Sequence, residues 1–221
     1  LGVQTAFDGQ MISVLPFAED INKTFTVESD WSSASYFYSI VALSPIGTQI
    51  DLSAYKHNSL QGDAVLKNIY KELGVESSFN ETTLSLKKLA EPQSKQLTLD
   101  LANAPDIAQT IAVTCLGLEI GCNLTGLHTL KIKETDRLVA LQNEIKKLGT
   151  SIEITDNSLH LKSPNKLNSS IHIATYNDHR MAMAFAPLGL KTQLFIDDAD
   201  VVSKSYPDFW SDLSALGFEL N

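Results

Sequence analysis

One dipeptide recurs along this 221-residue chain at nearly constant intervals, and its recurrence limits the folds that the chain can adopt. Leu-Gly followed by a β-branched or aromatic residue begins at Leu1, Leu73, Leu148 and Leu216, which are 72, 75 and 68 residues apart. In the last three cases the leucine ends a helical apolar pattern, and glycine commonly stops a helix. The dipeptide therefore marks equivalent helix ends in a repeated unit.

Each interval holds the same order of predicted elements: an apolar helix, a strand, a second helix and a hairpin of two alternating runs joined by a polar turn. The spacing exceeds that of common solenoid repeats, so three equivalent α+β units around a shared core are favoured over an open array. The predicted apolar helices are 32–43, 106–118 and 179–190, the strands 47–52, 122–130 and 193–196, and the hairpins 4–15, 76–86 and 152–161.

The chain starts in the middle of such a unit, because Leu1-Gly2-Val3 resembles the end of a helix whose beginning is absent. We expect the chain to be the C-terminal part of a longer protein. Residues 1–28 would then be the last hairpin of a preceding domain, with 16–23 as a loop inside it, and residues 29–221 would form the next domain.

Charge and composition exclude several classes of partner. The formal net charge of −9 disfavours nucleic acid or an anionic membrane as the main partner. No apolar run is long enough to span a bilayer, and the first residues lack the pattern of a signal peptide. Cys115 and Cys122 lack the paired spacing of a metal site, so we expect no metal. These features predict a soluble, cytoplasmic protein.

The two arginines of the chain, against fifteen lysines, both lie in dense polar clusters. Arg137 ends the cluster KETDR (133–137), and Arg180 ends NDHR (177–180). A guanidinium offers a rigid donor fork that matches a carboxylate or phosphate, so these positions indicate anion binding. Composition alone leaves open the alternative that both are surface arginines in solvent-exposed ion pairs.

Both arginines are predicted to lie in the first turn of a helix. Apolar spacing predicts one helix from Glu134 to Leu148 and another over 181–190, the latter with Asp178 as its N-cap. Helix N-termini carry unpaired N–H donors and the positive end of the helix dipole. Two such ends can converge on one anionic ligand.

Six motifs of the chain resemble successive motifs of the 5-enolpyruvylshikimate-3-phosphate synthases, in the order of that family and over nearly the whole chain. The resemblance implies an α+β (α/β) fold of two similar lobes, each an inside-out α/β barrel of three βαβαββ repeats. This chain resembles the C-terminal lobe with a remnant hairpin of the N-terminal lobe. The motifs are VESDWSSASYFY (27–38), NSLQGD (58–63), APDIAQT (104–110), KIKETDRL (131–138), ATYNDHRMAMAF (174–185) and VVSKSYPDFW (201–210).

The family transfers the enolpyruvyl group of phosphoenolpyruvate to the 5-hydroxyl of shikimate 3-phosphate and releases phosphate, a step of aromatic amino acid biosynthesis. The resemblance implies these two substrates and no metal or organic cofactor. It also implies that the missing N-terminal lobe supplies part of the site. We therefore expect the isolated 221 residues to be inactive, since a site shared between lobes loses positioning and charge when halved.

By resemblance, Asp106 is the base that accepts the proton of the 5-hydroxyl, and Glu134 is the acid that protonates the methylene carbon. A proton donor at that position needs a raised pKa. The residues alone leave other roles open. Asp106 follows Pro105 and fits a simple N-cap, while Glu134 fits a first-turn acid that complements the helix dipole.

The same resemblance assigns the cations. Lys133 matches a lysine that contacts the shikimate phosphate, Arg137 and Arg180 match the pair that grips the carboxylate of phosphoenolpyruvate, and Lys204 matches a lysine on its phosphate side. Each lysine taken alone fits an ordinary solvated surface residue.

Three further positions have secondary roles by resemblance. Asp178 and His179 adjoin Arg180 and either orient it or move protons, although a helix cap and a packed imidazole explain them equally well. Thr129 stands where many members of the family have asparagine, and its hydroxyl offers a shorter reach and one donor. Its contribution to substrate binding is left open.

Two other functions compete with this one. A related transferase that acts on a UDP-N-acetyl amino sugar shares the fold, but YNDHRMAM together with KETDR fits the shikimate branch better. A non-catalytic anion-binding lobe is the second alternative, and it describes the isolated chain.

Overall fold

The computed structural model describes residues 2–16, 22, 24–164 and 166–220, which form β-strands, α-helices and short 3₁₀ turns. The strands are β1 Thr5–Asp8, β2 Met11–Val14, β3 Gln49–Leu52, β4 Val75–Asn80, β5 Thr83–Lys88, β6 Gln96–Asp100, β7 Gly121–Thr125, β8 Ile152–Ile154, β9 Leu159–Leu161, β10 Ile171–Ile173 and β11 Leu194–Ile196. The helices are α1 Trp31–Leu43, α2 Leu66–Glu72, α3 Ala108–Gly117, α4 Arg137–Lys147, α5 His179–Phe185 and α6 Phe209–Ala215.

Helices α1, α3 and α5 form the centre of the fold. Helix α3 packs against both α1 and α5, and nearly every residue of the three helices is buried. A helix that is apolar on all sides belongs in a core, which explains why these segments lack a polar face. Helices α2 and α4 pack instead on the hairpin strands β4 and β8 of their own units.

Three sheets surround the central helices. Their strand orders are β3-β5-β4, β6-β7-β9-β8 and β10-β11, with β6 parallel to β7 and β10 parallel to β11. This architecture agrees with the expected class of helices inside and sheets outside. Within the described ranges, the second unit shows the complete βαβαββ order, and the first and third units show parts of it.

The first and third units differ from the second at opposite ends. Before α1, the chain runs beside the segment after β3, where Ser29 N–H donates to Ala54 O at 2.7 Å without forming a ladder. After α6, the described residues contain no hairpin that would pair with β11. The hairpins predicted at 4–15, 76–86 and 152–161 are confirmed as β1–β2, β4–β5 and β8–β9.

The repeated Leu-Gly dipeptide has one structural cause. Gly2, Gly74, Gly149 and Gly217 all have left-handed φ angles, between +82° and +95°, and the last three directly follow the final turns of α2, α4 and α6. Glycine adopts this conformation without a steric penalty. At Gly74 a Cβ atom would also lie 1.9 Å from Ala90 O, so no other residue fits.

Two predicted elements end earlier in the structure. The strand predicted over 122–130 ends at Thr125, because Gly126 turns the chain left-handed (φ +77°) and a 3₁₀ turn follows. The helix predicted to reach Leu190 ends at Phe185 and continues as 3₁₀, since Pro187 cannot donate a backbone hydrogen bond.

The first hairpin stands apart from these sheets. Strands β1 and β2 pair with each other, and all their residues are exposed. The division at residue 28 stays a prediction, and most of the loop predicted over 16–23 lies outside the described residues. None of the described helices has the length and apolarity needed to cross a membrane.

Candidate functional site

Two carboxylates fix where the arginine-bearing helices begin. Asp136 accepts from Val139 N–H at 3.2 Å and so makes Arg137 the first residue of α4. Asp178 accepts from Arg180 N–H at 2.9 Å, which confirms it as the N-cap of α5. The prediction that α4 begins at Glu134 is wrong, because the cap at Asp136 leaves Glu134 in the preceding segment.

Arg137 is held by three carboxylates although it is only 1% exposed. Its Nε donates to Asp178 Oδ2 at 2.6 Å, its Nη1 to Asp106 Oδ1 at 3.1 Å and its Nη2 to Glu134 Oε2 at 2.6 Å. Such charge-assisted bonds offset the cost of removing a cation from water. The guanidinium is therefore a fixed element of the site, with its Nη1 and Nη2 edge facing the more exposed partners.

Arg180 approaches the carboxylate of Asp106 from the side opposite to Arg137. Its Nη2 lies 3.4 Å from Asp106 Oδ2 and 3.4 Å from Ser32 Oγ. Lys133 Nζ also lies 3.2 Å from Asp106 Oδ1. Three cations thus meet on Asp106, and the two arginines converge as their positions at helix starts predicted. The longer distances at Arg180 indicate a looser hold than at Arg137.

Asp106 is not a helix cap in this structure. It lies inside the 3₁₀ turn Pro105–Ile107, and neither this turn nor α3 is capped by a side chain. Its carboxylate is free of that local role and faces the cations instead.

The charges lower the pKa of both acids predicted to act in catalysis. Burial opposes ionisation of Asp106, but Arg180, Lys133 and Arg137 outweigh it and hold its pKa below the ordinary value. Burial likewise opposes ionisation of Glu134, yet a backbone hydrogen bond and Arg137 lower its pKa. Both groups are anionic at neutral pH. For Glu134 this direction is opposite to that required of a proton donor.

His179 is nearly buried and lies between two carboxylates. Its Nδ1 is 3.9 Å from both Glu134 Oε1 and Asp178 Oδ1, and it has no hydrogen-bond partner among the described residues. Burial, reinforced by Arg180, lowers its pKa, so the imidazole is neutral at neutral pH. It can therefore accept or pass a proton without first losing one.

The same three side chains could be taken for a metal site, since ligand atoms of Glu134, Asp178 and His179 lie within 4.8 Å of one another. Arg137 already binds both carboxylates, and a metal ion would meet its guanidinium. Repulsion from this guanidinium makes the place unfavourable for a metal ion.

Lys204 and Thr129 make no hydrogen bond or ion pair with Asp106. Lys204 Nζ donates to Asn177 O at 3.4 Å, on the turn that precedes Asp178. Thr129 lies in the 3₁₀ turn His128–Ile132, and its buried hydroxyl has no partner in the described part of the chain. Lys204 is thus near the beginning of α5, whereas the hydroxyl of Thr129 has no solvent-exposed surface.

Two residues of the site had no predicted role. Ser32 donates to the carboxylate of Asp63 and lies beside Arg180 Nη2. Burial raises the pKa of Asp63. Both residues fall within motifs that resemble those of the family, at 27–38 and 58–63. Membership of these motifs was the sequence signal that could have identified them as site residues. Their separation of 31 residues concealed the contact.

Comparisons with known proteins were made on the sequence and on the fold. A family model described as EPSP synthase (3-phosphoshikimate 1-carboxyvinyltransferase) matches residues 1–213. A 3-phosphoshikimate 1-carboxyvinyltransferase of Bacteroides fragilis (strain YCH46) is 45% identical over 197 residues, which are 88% of this chain and 48% of the relative. One from Escherichia coli (strain K12 / DH10B) is 32% identical over 194 residues, which are 87% and 44% of the two chains.

Solved structures agree with this comparison at the level of fold. A structure of EPSP synthase from Acinetobacter baumannii superposes with a TM-score of 0.78 at 22% identity, over 97% of this chain and 52% of that one. The chain therefore spans about half the length of the relatives that it matches.

Proposed function

The chain belongs to the EPSP synthase family, and on that premise we propose that it is one lobe of a 3-phosphoshikimate 1-carboxyvinyltransferase. The whole protein would transfer the enolpyruvyl group of phosphoenolpyruvate to the 5-hydroxyl of shikimate 3-phosphate in the cytoplasm. Residues 29–221 would form the C-terminal lobe, and residues 1–28 would belong to the N-terminal lobe that completes the site.

The meeting of Arg137, Arg180 and Lys133 on Asp106 is the observation that supports this proposal. A small dianion or trianion needs several cations at fixed positions, and this cluster offers them beside the starts of α4 and α5. The carboxylate of phosphoenolpyruvate would take donors from both arginines, with Lys204 on the phosphate side. Lys133 would face the shikimate phosphate, and Thr129 would add a hydroxyl once ligand binding exposes it.

Proton transfers can then be assigned so that charge balances. Asp106 takes the proton of the 5-hydroxyl while the hydroxyl oxygen forms a bond to the enol carbon. Glu134 gives a proton to the methylene carbon. The adduct then expels phosphate, which carries away the proton held by Asp106, while a methyl proton returns to Glu134, so that the double bond is restored and both acids regain their starting protonation states. In the unliganded site both acids are ionised, so Glu134 must gain a proton first. A bound carboxylate that shares the donors of Arg137 favours this change, because the ion pair lowering the pKa of Glu134 weakens.

Arg180→Lys in the full-length protein is expected to reduce kcat/KM for phosphoenolpyruvate by about 10²-fold, in line with the loss of a bidentate, preorganised donor. The effect on shikimate 3-phosphate should be smaller, since Arg180 faces Asp106 and Ser32 and not Lys133. Initial rates of phosphate release, with each substrate varied in turn, measure both values.

Lys191→Arg serves as the control, because Lys191 is exposed at the end of the 3₁₀ turn after α5 and its side chain makes no hydrogen bond or ion pair among the described residues. It should leave both values unchanged. Equal losses for both substrates in Arg180→Lys would contradict the assignment. Turnover of the full-length protein with UDP-N-acetylglucosamine in place of shikimate 3-phosphate would support the related transferase instead.

The 221 residues alone are expected to show no transferase turnover. The cation cluster opens to solvent, with Asp106, Lys133 and Glu134 each at least 28% exposed at the side chain, so it lacks the enclosure that catalysis requires. Phosphate release with both substrates present tests this expectation. Turnover comparable to that of the full-length protein would show that one lobe is sufficient.

A further inference from the structure

Helix α4 carries two fully buried charged residues, and both lie on one face. Arg137 and Glu144 are 1% and 0% exposed and seven residues apart, which places them two turns apart on the same side of the helix. Arg137 contacts Asp178 at the start of α5. Glu144 has no part in the proposed chemistry, so its burial needs another explanation.

The carboxylate of Glu144 binds the segment between β10 and α5. Its Oε1 accepts from the Tyr176 hydroxyl at 2.7 Å, and its Oε2 accepts from Ala174 N–H at 3.1 Å. Lys147 Nζ, one turn along the helix, lies 2.5 Å from Oε2 and compensates the charge. A buried carboxylate with three partners is a rigid anchor.

The anchored segment is a strained turn. Tyr176 and Asn177 have φ angles of +55° and +56°, a left-handed conformation that costs non-glycine residues on the order of 1–3 kcal/mol each. Asp178 N–H closes the turn on Thr175 O at 2.9 Å. Two consecutive left-handed residues persist only where their surroundings hold them, and Glu144 makes two of those contacts.

We propose that Glu144 is a positioning residue for the anion site: through the Tyr176 hydroxyl and the Ala174 N–H it holds the 174–177 turn, so that Asp178 meets Arg137 and α5 begins where Arg180 faces Asp106. Helix α4 thereby holds the start of α5 at two points. Arg137, in the first turn of α4, contacts Asp178. Glu144, two turns later in α4, contacts the turn that precedes α5. The proposed function enters only through the kinetic arm of the test.

Nuclear magnetic resonance of the arginine side chains tests the proposal in this chain without any assay of activity. The chain has two arginines, so the Nε–Hε spectrum contains two signals. The signal of Arg137, whose Nε–H is bonded to buried Asp178, is expected to shift in Tyr176→Phe and Glu144→Gln. Its hydrogen exchange should accelerate about five- to tenfold, as expected when one hydrogen bond that holds a donor in place is lost.

Tyr206→Phe is the matched control, because it also removes a hydroxyl that binds a carboxylate, that of Asp212, at 2.5 Å. It should leave the Arg137 signal unchanged. If Glu144→Gln fails to fold, Tyr176→Phe decides alone. An unchanged Arg137 signal in folded Tyr176→Phe, or an equal shift in Tyr206→Phe, would overturn the proposal.

In the full-length protein, Tyr176→Phe is expected to lower kcat/KM for phosphoenolpyruvate about tenfold, as for a small misplacement of binding groups, with a lesser effect on shikimate 3-phosphate. A loss confined to thermal stability, with both kinetic values intact, would reduce Glu144 to a structural role and overturn the proposal. Absence of transferase activity in the unaltered protein would reject the proposed function, while the spectrum would still decide the role of Glu144.

Discussion

Asp106→Asn in the full-length protein is expected to lower kcat by about 10²–10⁴-fold, the usual contribution of a general base. The amide keeps the shape of the side chain but cannot accept the hydroxyl proton. Phosphoenolpyruvate should still bind, because the substitution removes an anion that competes for Arg137, Arg180 and Lys133. Single-turnover phosphate release and equilibrium binding of phosphoenolpyruvate measure the two effects separately.

Asp136→Asn provides the control for this prediction. Asp136 is also an acid of the site region, directly before Arg137, but it caps α4, and asparagine caps helices about as well as aspartate. Its kcat should stay close to that of the unaltered protein. A loss at Asp106 below tenfold, or an equal loss at Asp136, would remove Asp106 from the role of base.

Arg137→Met is expected to destabilise the chain by about 3–5 kcal/mol, the usual result of removing one partner from a buried ion pair. Asp178, which is fully buried, would lose its guanidinium partner, while Asp106 and Glu134 would each lose one of their charge partners. Urea unfolding of the 221-residue chain at neutral pH measures the change in free energy of unfolding. Since small domains are stable by roughly 5–15 kcal/mol, the variant should be only marginally folded.

The same variant should show a characteristic pH dependence. Burial alone would raise the pKa values of Asp106 and Glu134, but their charge and hydrogen-bond partners, Arg137 among them, lower both in the folded protein. Groups with lowered pKa stabilise the fold above their unfolded pKa and lose that contribution as the pH falls through the folded value. The difference in free energy of unfolding between the unaltered chain and Arg137→Met should therefore become smaller as the pH falls into the acid range.

Lys131→Met is the control, because it breaks an ion pair with Asp156 that is largely exposed and contributes little to stability. A loss of stability at Arg137→Met no greater than at Lys131→Met would show that the buried carboxylates do not depend on the guanidinium.

The helix starts that form the site were largely predictable from the residues. Asp178 before an apolar run is a strong local signal, and the structure confirms it as the cap that places Arg180. Arg137 was likewise expected in a first turn. Both predictions rest on interactions between neighbours in sequence, which is why they need no knowledge of the tertiary structure.

Other features depend on contacts that a single sequence does not reveal. Glu134 was assigned to α4 because the apolar periodicity does not show which of two nearby acids caps the helix. Glu144 is followed by Lys146 and Lys147, the pattern of a solvated helix face, yet it is fully buried. Ser32 and Asp63 meet within the first unit although they are 31 residues apart. In each case the tertiary environment determines the role of a polar residue whose local pattern is ordinary.

Most binding groups in proteins are carried by surface loops, which open readily. Here the proposed binding groups Asp106, Arg137 and Arg180 lie at or just before the beginnings of α3, α4 and α5, and two of these helices belong to the buried centre. Backbone amides in the interiors of α3 and α5 should consequently rank among the slowest to exchange with deuterium, while the peripheral hairpins fray first. Heat should then abolish ligand binding only when the lobe unfolds as a whole. The unfolding transition measured by calorimetry and the loss of ligand binding should therefore occur at the same temperature.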